Sequence, residues 1–134
     1  IYFAHPIFTL YHKNAPRWCK LLLLNAIELL MGQPILSHDG PSTVFATVNE
    51  QSQENRWIVH LLHYIPERRS QEIDIIEDVI PLYNLEVAVK VPKDVKSVTC
   101  VPEMKPMEFE LQDGTVRFTL DELHGHQMIE IAFA

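Results

Sequence analysis

The chain has 134 residues, 47% of them apolar, which is enough to bury a core as one domain with an appendage and argues against disorder. Its formal net charge of −7 argues against nucleic acid and anionic membranes as partners, because both bind basic surfaces. No apolar run approaches the roughly 20 residues of a membrane-spanning helix. We therefore expect a soluble protein, and the composition does not indicate its compartment.

The predicted elements begin with an apolar run at residues 1–4, which could be a strand of a preceding sheet. The clearest helix is predicted over Arg17–Met31, with Pro16 in its first turn and Gly32 as a left-handed cap. Apolar residues cover most of its circumference, whereas a surface helix needs only a stripe. Each leucine side chain left in water would lack the stabilisation of about 1.5–3 kcal/mol that burial provides. We therefore expect the helix to be covered by its own domain alone, or also by a sheet or subunit outside this sequence.

From Ile35 onward, apolar and polar residues alternate with the period of a β-strand. Strands are predicted at residues 43–48, 56–65, 85–91, 97–101, 107–111, 116–120 and 128–133, and residues 73–80 fit either a helical turn or a strand. The Asp113-Gly114 pair predicts a tight hairpin turn. About seven or eight short strands at roughly 8–12-residue spacing predict a mainly β fold, an antiparallel β-sandwich with one N-terminal α-helix.

The strand at residues 56–65 carries two histidines, which invite a zinc interpretation. His60 and His63 are three positions apart, so on a strand they point to opposite faces and share no ion without a bulge. His124 and His126 could share one, but no third ligand stands at a matching spacing. Cys19 and Cys100 follow no metal-ligand spacing and are expected to be buried free thiols, with a disulfide left open. No metal site is predicted.

Acidic residues cluster at 72–78 and at Asp121-Glu122, and glycoside hydrolysis uses paired carboxylates. Such a pair needs a set separation and one raised pKa, which spacing along the sequence does not reveal. No nucleophile elbow and no phosphate-binding glycine loop is present. We therefore expect no catalytic and no cofactor-binding residue in the chain. A small metal- or carboxylate-dependent enzyme is kept as an alternative.

The aromatic side chains of Trp57, Tyr64, Phe45 and Tyr83 are candidates for a sugar-stacking platform. Trp57 and Tyr64 lie an odd number of positions apart, so they occupy opposite faces of their strand. Core packing is the expected role of these aromatics. A carbohydrate-binding module is the alternative that the residues leave open.

Several short motifs, in a fixed order, resemble a known family. They are Gly-Pro-Ser at 40–42, Asn-Glu-Gln at 49–51, His-Leu-Leu-His-Tyr at 60–64 with Pro-Glu-Arg-Arg at 66–69, and Ile-Glu-Asp at 76–78 before the strand at 82–91. Over nearly the whole chain, this order resembles the C-terminal end of large glycoside hydrolases related to the family-42 β-galactosidases. In that family a catalytic (β/α)8 barrel is followed by a flavodoxin-like trimerisation domain and a small antiparallel β-sandwich.

The resemblance implies that residues 1–34 are the terminal strand and helix of the flavodoxin-like domain and residues 35–134 the C-terminal sandwich. It transfers no catalytic residue, because the family carries its two glutamates on the barrel, and it implies no cofactor. His63 stands where the family motif has Asn. The implied role is a non-catalytic accessory domain that serves packing, stability or subunit assembly.

Because the sequence starts at Ile1 without Met or a signal peptide, we expect the parent polypeptide to continue upstream and to be a partner. Self-association through the helix surface from Leu21 to Leu30 is also expected.

Overall fold

The alternating pattern that begins at Ile35 forms antiparallel β-sheets in the computed structural model, so the predicted mainly β class is confirmed. The structure describes residues 1–134 and divides them into two units, Ile1–Pro34 and Ile35–Ala134. The first unit is helical and the second is built of strands.

The first unit contains two helices where one was predicted. The helix predicted from Arg17 is observed as α2, Arg17–Met31, and the unpredicted helix is α1, Ile7–Asn14. Gly32 ends α2 with a positive φ of 71°, and its N–H donates to the carbonyl of Glu28 over 2.8 Å. The predicted left-handed cap is confirmed only in the sign of φ, because the ψ of −158° lies in an extended region that glycine alone adopts readily. Residues 1–4, the candidate strand, pair with no other strand. Neither helix combines the length and apolar content that crossing a membrane requires.

The second unit contains eleven strands in three sheets. The strands are β1 Leu36–His38, β2 Val44–Gln51, β3 Arg56–His63, β4 Glu67–Arg68, β5 Asp74–Ile75, β6 Leu82–Lys90, β7 Val95–Val101, β8 Lys105–Met107, β9 Glu110–Gln112, β10 Thr115–Leu123 and β11 His126–Phe133. One sheet has the order β1-β6-β10-β9, the other has the order β2-β3-β11-β7-β8, and β4 and β5 form a separate ribbon. Every strand pair is antiparallel.

The core consists of the alternate side chains that the two larger sheets direct toward each other. Its fully buried members include Val59 and Leu61 of β3, Val87 and Val89 of β6, and Val116 of β10. Alternate residues of two strands are buried in the same way, namely Leu85, Val87 and Val89 of β6 and Ile129, Ile131 and Phe133 of β11. Because apolar residues from both sheets fill one cluster, the sheets form the predicted sandwich.

One predicted strand is wrong in a way that shows how the sandwich turns its corners. The strand predicted at residues 107–111 is interrupted, and its two ends join different sheets. Lys105–Met107 pairs with β7, whereas Glu110–Gln112 pairs with β10. An apolar alternation continues across such a corner, so the sequence pattern alone does not reveal the change of sheet.

The hairpin turn predicted at Asp113-Gly114 is confirmed. Thr115 pairs with Gln112, which leaves a two-residue loop, and the loop residues have φ angles of 51° and 69°. Two successive left-handed residues are what a type I′ turn requires, and glycine adopts that conformation without a steric penalty.

The strand β3 lies inside the five-stranded sheet, between β2 and β11, a position that suits a strand with apolar residues on both faces. Val48 and Ile129 flank Val59 on the two neighbouring strands, which fixes which residues of β3 face the core. His63 falls on that core face and His60 on the outer face. The predicted separation of the two histidines is therefore confirmed.

Candidate functional sites

His63 is a buried structural residue that joins three segments of the sandwich. Its side chain is only 2% exposed, and its Nδ1 lies 3.0 Å from the carbonyl oxygen of Ile80. Since that oxygen can only accept, Nδ1 donates, and Nε2 lies within hydrogen-bond distance of the Thr43 hydroxyl, at 3.0 Å. The backbone N–H of His63 also donates to the Gly125 carbonyl over 2.7 Å. Both ring nitrogens are engaged, so His63 is not available as a metal ligand.

Replacement of His63 by alanine is expected to lower the free energy of unfolding by about 2–4 kcal/mol. The change leaves a void and removes the ring partners of Ile80 and Thr43. Urea unfolding followed by Trp fluorescence measures the loss. The matched control is His124→Ala, because His124 is exposed. Equal midpoints for the two variants would contradict the structural role of His63.

The structure brings together a pair of histidines that the sequence did not pair. Nδ1 of His60 on β3 lies 3.2 Å from Nε2 of His126 on β11. The rings are parallel within 3° and their centroids are 5.4 Å apart. The distance between the ring centroids exceeds the distance between the two nitrogens by about two ring radii, as expected for rings that lie side by side. The rings therefore meet edge to edge and share an N–H···N hydrogen bond. No group of three His, Cys, Asp or Glu side chains converges anywhere in the structure.

The second unit has an open groove of about 1640 Å³ against the four-stranded sheet. Carboxylates outnumber cationic side chains seven to two along its walls, and the sequence candidates Asp121 and Glu122 are among them. Asp121 accepts a 3.1 Å hydrogen bond from Lys105, and the carboxylate of Asp39 accepts the backbone N–H of Glu86 over 2.9 Å. These two acidic side chains therefore already have partners within the fold.

The other acidic cluster, at residues 72–78, lies on the surface around the β4–β5 ribbon. Asp74 forms an ion pair with Arg68 at 2.7 Å, and Arg69 contacts both Glu67 and Glu77. None of these residues lines the groove. The structure therefore does not unite the two acidic clusters that the sequence offered as catalytic candidates.

The four candidate aromatic residues form no shared stacking platform. Trp57 packs edge-on against Phe133, with ring centroids 5.6 Å apart, at the margin of the core. Tyr64 lies over Gly125 and is half-buried. Phe45 and Tyr83 are 68% and 62% exposed, but they belong to different sheets. The expected core role is confirmed for Trp57 and is wrong for Phe45 and Tyr83, whose side chains are mostly exposed.

Both cysteines are buried and free, as the sequence predicts. The thiol of Cys100 lies 3.3 Å from the thioether sulfur of Met107. Burial, and then the negative charge of Glu103, raises the pKa of the Cys100 thiol. The thiol therefore stays protonated at neutral pH and is a poor nucleophile.

The two helices expose a large apolar surface, which we call the α1–α2 apolar surface. It consists of Phe8, Tyr11, Trp18, Leu21, Leu22, Leu24, Ile27, Leu29, Leu30 and Met31, all at least 40% exposed. Ile7 and Cys19 are the buried apolar residues of this unit. Exposed apolar patches of this size are uncommon on isolated domains and are typical of contact sites.

A solved structure resembles the chain closely over almost its whole length. It is the α-L-fucosidase isoenzyme 2 from Paenibacillus thiaminolyticus, which is 35% identical in sequence and superposes with a TM-score of 0.90. The match covers 96% of this chain and 20% of the fucosidase chain. No protein-family model and no curated protein matches the sequence. The chain thus spans about one fifth of the length of that fucosidase.

Proposed function

We propose that this chain is the accessory β-sandwich of a multidomain glycoside hydrolase, together with a helix pair that belongs to an adjoining domain. The proposal is carried by the similarity to an α-L-fucosidase. The two sequences are 35% identical over 96% of this chain, which corresponds to one fifth of the fucosidase. A segment that is so small a share of an enzyme serves more readily as support than as the complete catalytic unit. Its role is to pack against the rest of the enzyme and to stabilise it.

The class of the parent enzyme is supported from two directions. The motifs resemble the C-terminal end of β-galactosidase relatives, and the solved neighbour is an α-L-fucosidase. Both act on glycosides and differ in the sugar. We place the catalytic carboxylates outside this chain, because Asp121, Asp74 and Glu77 are held in ion pairs within the fold.

The helix pair supports the proposed division at residue 34. Ile1–Pro34 buries few of its own apolar side chains and exposes the α1–α2 apolar surface. A unit of this kind gains a core only by packing on other elements. We propose that these elements are those of a flavodoxin-like domain in the same polypeptide, as the family resemblance implies.

An activity comparison tests the proposal. The isolated chain should release no 4-nitrophenol from 4-nitrophenyl α-L-fucoside or β-D-galactoside, whereas the full-length product of the gene should hydrolyse one of them. Turnover by the isolated chain that disappears in Asp121→Asn would overturn the accessory role. Failure of the full-length product to hydrolyse any aryl glycoside would overturn the enzyme class.

A carbohydrate-binding role is the second candidate, and the groove on the four-stranded sheet is the feature that favours it. Its walls offer the carboxylate of Glu86 and the guanidinium of Arg117, which can hydrogen-bond sugar hydroxyls. If this role is real, polysaccharide in an affinity gel should retard the chain, and Glu86→Ala with Arg117→Ala should abolish the retardation. The control is Phe45→Ala, which changes an exposed residue of the other sheet. Unretarded migration on every polysaccharide would exclude this candidate.

A further inference from the structure

The outer face of the five-stranded sheet carries a cluster of side chains with no part in the proposed accessory role. His60 and His126 meet there through ring nitrogens 3.2 Å apart, and both side chains reach solvent. Met128 of β11 is the residue directly opposite His60 in the strand register. We propose that His60 and His126, assisted by the thioether of Met128, bind one transition-metal ion, with copper preferred.

The separation of the two nitrogens suits a shared ion. Imidazole nitrogens bound to one metal at about 2.0–2.1 Å each, at tetrahedral angles, lie about 3.3 Å from each other. The 3.2 Å between His60 and His126 already matches that distance. The rings now point at each other along an N–H···N bond, so metal binding requires each ring to rotate about its Cβ–Cγ bond until both nitrogens face one ion. The ring that donates the shared proton changes to its other tautomer, so that its proton sits on the far ring nitrogen, Nε2 of His60 or Nδ1 of His126. The nitrogen freed in this way then binds the metal, because only a deprotonated nitrogen is a ligand.

The neighbouring side chains decide which metal is favoured. Met128 lies two positions from His126 on β11, so the two side chains share the outer face of the sheet. Two imidazoles with a thioether suit copper, whereas Ca²⁺ and Mg²⁺ require oxygen ligands. The next outward residue, Glu130, is held by Arg56 at 2.5 Å. Its carboxylate is therefore committed to an ion pair, which leaves the site rich in nitrogen and sulfur.

Two other histidines of the sandwich provide contrasts for the test. His63 has both ring nitrogens engaged in the interior. His124 is exposed and lies two residues from His126. It is therefore a matched control, because any copper it binds is bound by a single histidine. An ion held between β3 and β11 would tie two strands together and raise the thermal stability of the chain by mass action.

Calorimetric titration of the 134-residue chain with copper(II) chloride should show one equivalent bound per chain. His60→Ala and His126→Ala should each weaken binding about tenfold or more, whereas His124→Ala should not. Met128→Leu should weaken binding of copper(I), measured anaerobically against a chromophoric chelator, and should leave nickel(II) binding unchanged. Unaltered copper affinity in His60→Ala and His126→Ala, or an equal loss in His124→Ala, would overturn the site.

A measurement on the unmodified chain guards against variants that fold poorly. Copper(II) broadens nearby amide signals in a ¹H–¹⁵N spectrum because the ion is paramagnetic. We expect broadening at substoichiometric copper to centre on the residues around His60 and His126. Broadening centred on the helical unit or on His124 alone would place the ion elsewhere and overturn the proposal. The outcome is independent of the glycosidase test, because neither histidine has a part in the accessory role.

Discussion

Replacement of Leu61 by alanine is expected to lower the free energy of unfolding by about 3–5 kcal/mol. Leu61 is fully buried on the core face of β3, between the two large sheets. The substitution removes buried methyl groups and leaves a cavity, since close-packed neighbours on rigid strands relax only partly. Urea unfolding, analysed by linear extrapolation with the slope held in common, measures the change.

The adjacent Leu62 provides the matched control, because it undergoes the same chemical change on the opposite face of the same strand. Leu62 is half-buried on the outer face, so Leu62→Ala should lower the unfolding free energy by about 1 kcal/mol or less. If the alanine at 61 prevents folding, Leu61→Val gives a smaller loss of the same sign. Equal losses at positions 61 and 62 would contradict the assignment of faces on β3.

The isolated chain is expected to self-associate through the α1–α2 apolar surface, and the double change Leu29→Glu with Leu30→Glu should prevent this. The two leucines are 79% and 69% exposed. Burial of a leucine is worth about 1.5–3 kcal/mol, so losing two from the contact should weaken association by a hundredfold or more, on the order of 3–6 kcal/mol. Sedimentation velocity at micromolar concentrations measures the mass distribution.

The control for this experiment is Phe45→Glu with Tyr83→Glu. These residues are 68% and 62% exposed, so the control adds the same charge at comparably exposed apolar positions of the sandwich. The control protein should associate as the unmodified chain does. A strictly monomeric unmodified chain would refute self-association. The contact would lie on the sandwich if the opposite result were found. In that case Phe45→Glu with Tyr83→Glu would abolish association, and Leu29→Glu with Leu30→Glu would leave it intact.

The residues brought together by strand register could not be inferred from spacing along the chain. The sequence suggested His124 with His126 because they are close in number, and it correctly separated His60 from His63. The observed partner of His60 is His126, 66 positions away, because β11 lies beside β3 and places Met128 opposite His60. Only knowledge of which strands are neighbours, and in which register, reveals this pair.

The groove on the four-stranded sheet illustrates the same limit. Asp121 and Glu122 are neighbours in sequence, whereas the groove adds Asp39, which follows β1, and Glu86 of β6, both far away in the chain. Their proximity follows from the antiparallel order of β1, β6 and β10. Carboxylate spacing along a single strand contains no information on this order.

The sequence alone determined the features that depend on neighbouring residues. Local sterics and the hydrophobic pattern are enough to predict four features. They are the helix at Arg17–Met31, the strand periodicity after residue 35, the turn at Asp113-Gly114 and the burial of both cysteines. The tertiary structure alone decided which strands pair, where the chain at 107–111 changes sheet, and that His60 meets His126. These three features depend on contacts between distant segments of the chain. The free energy of such contacts comes from apolar surface that both sheets bury together, and no single stretch of residues determines it.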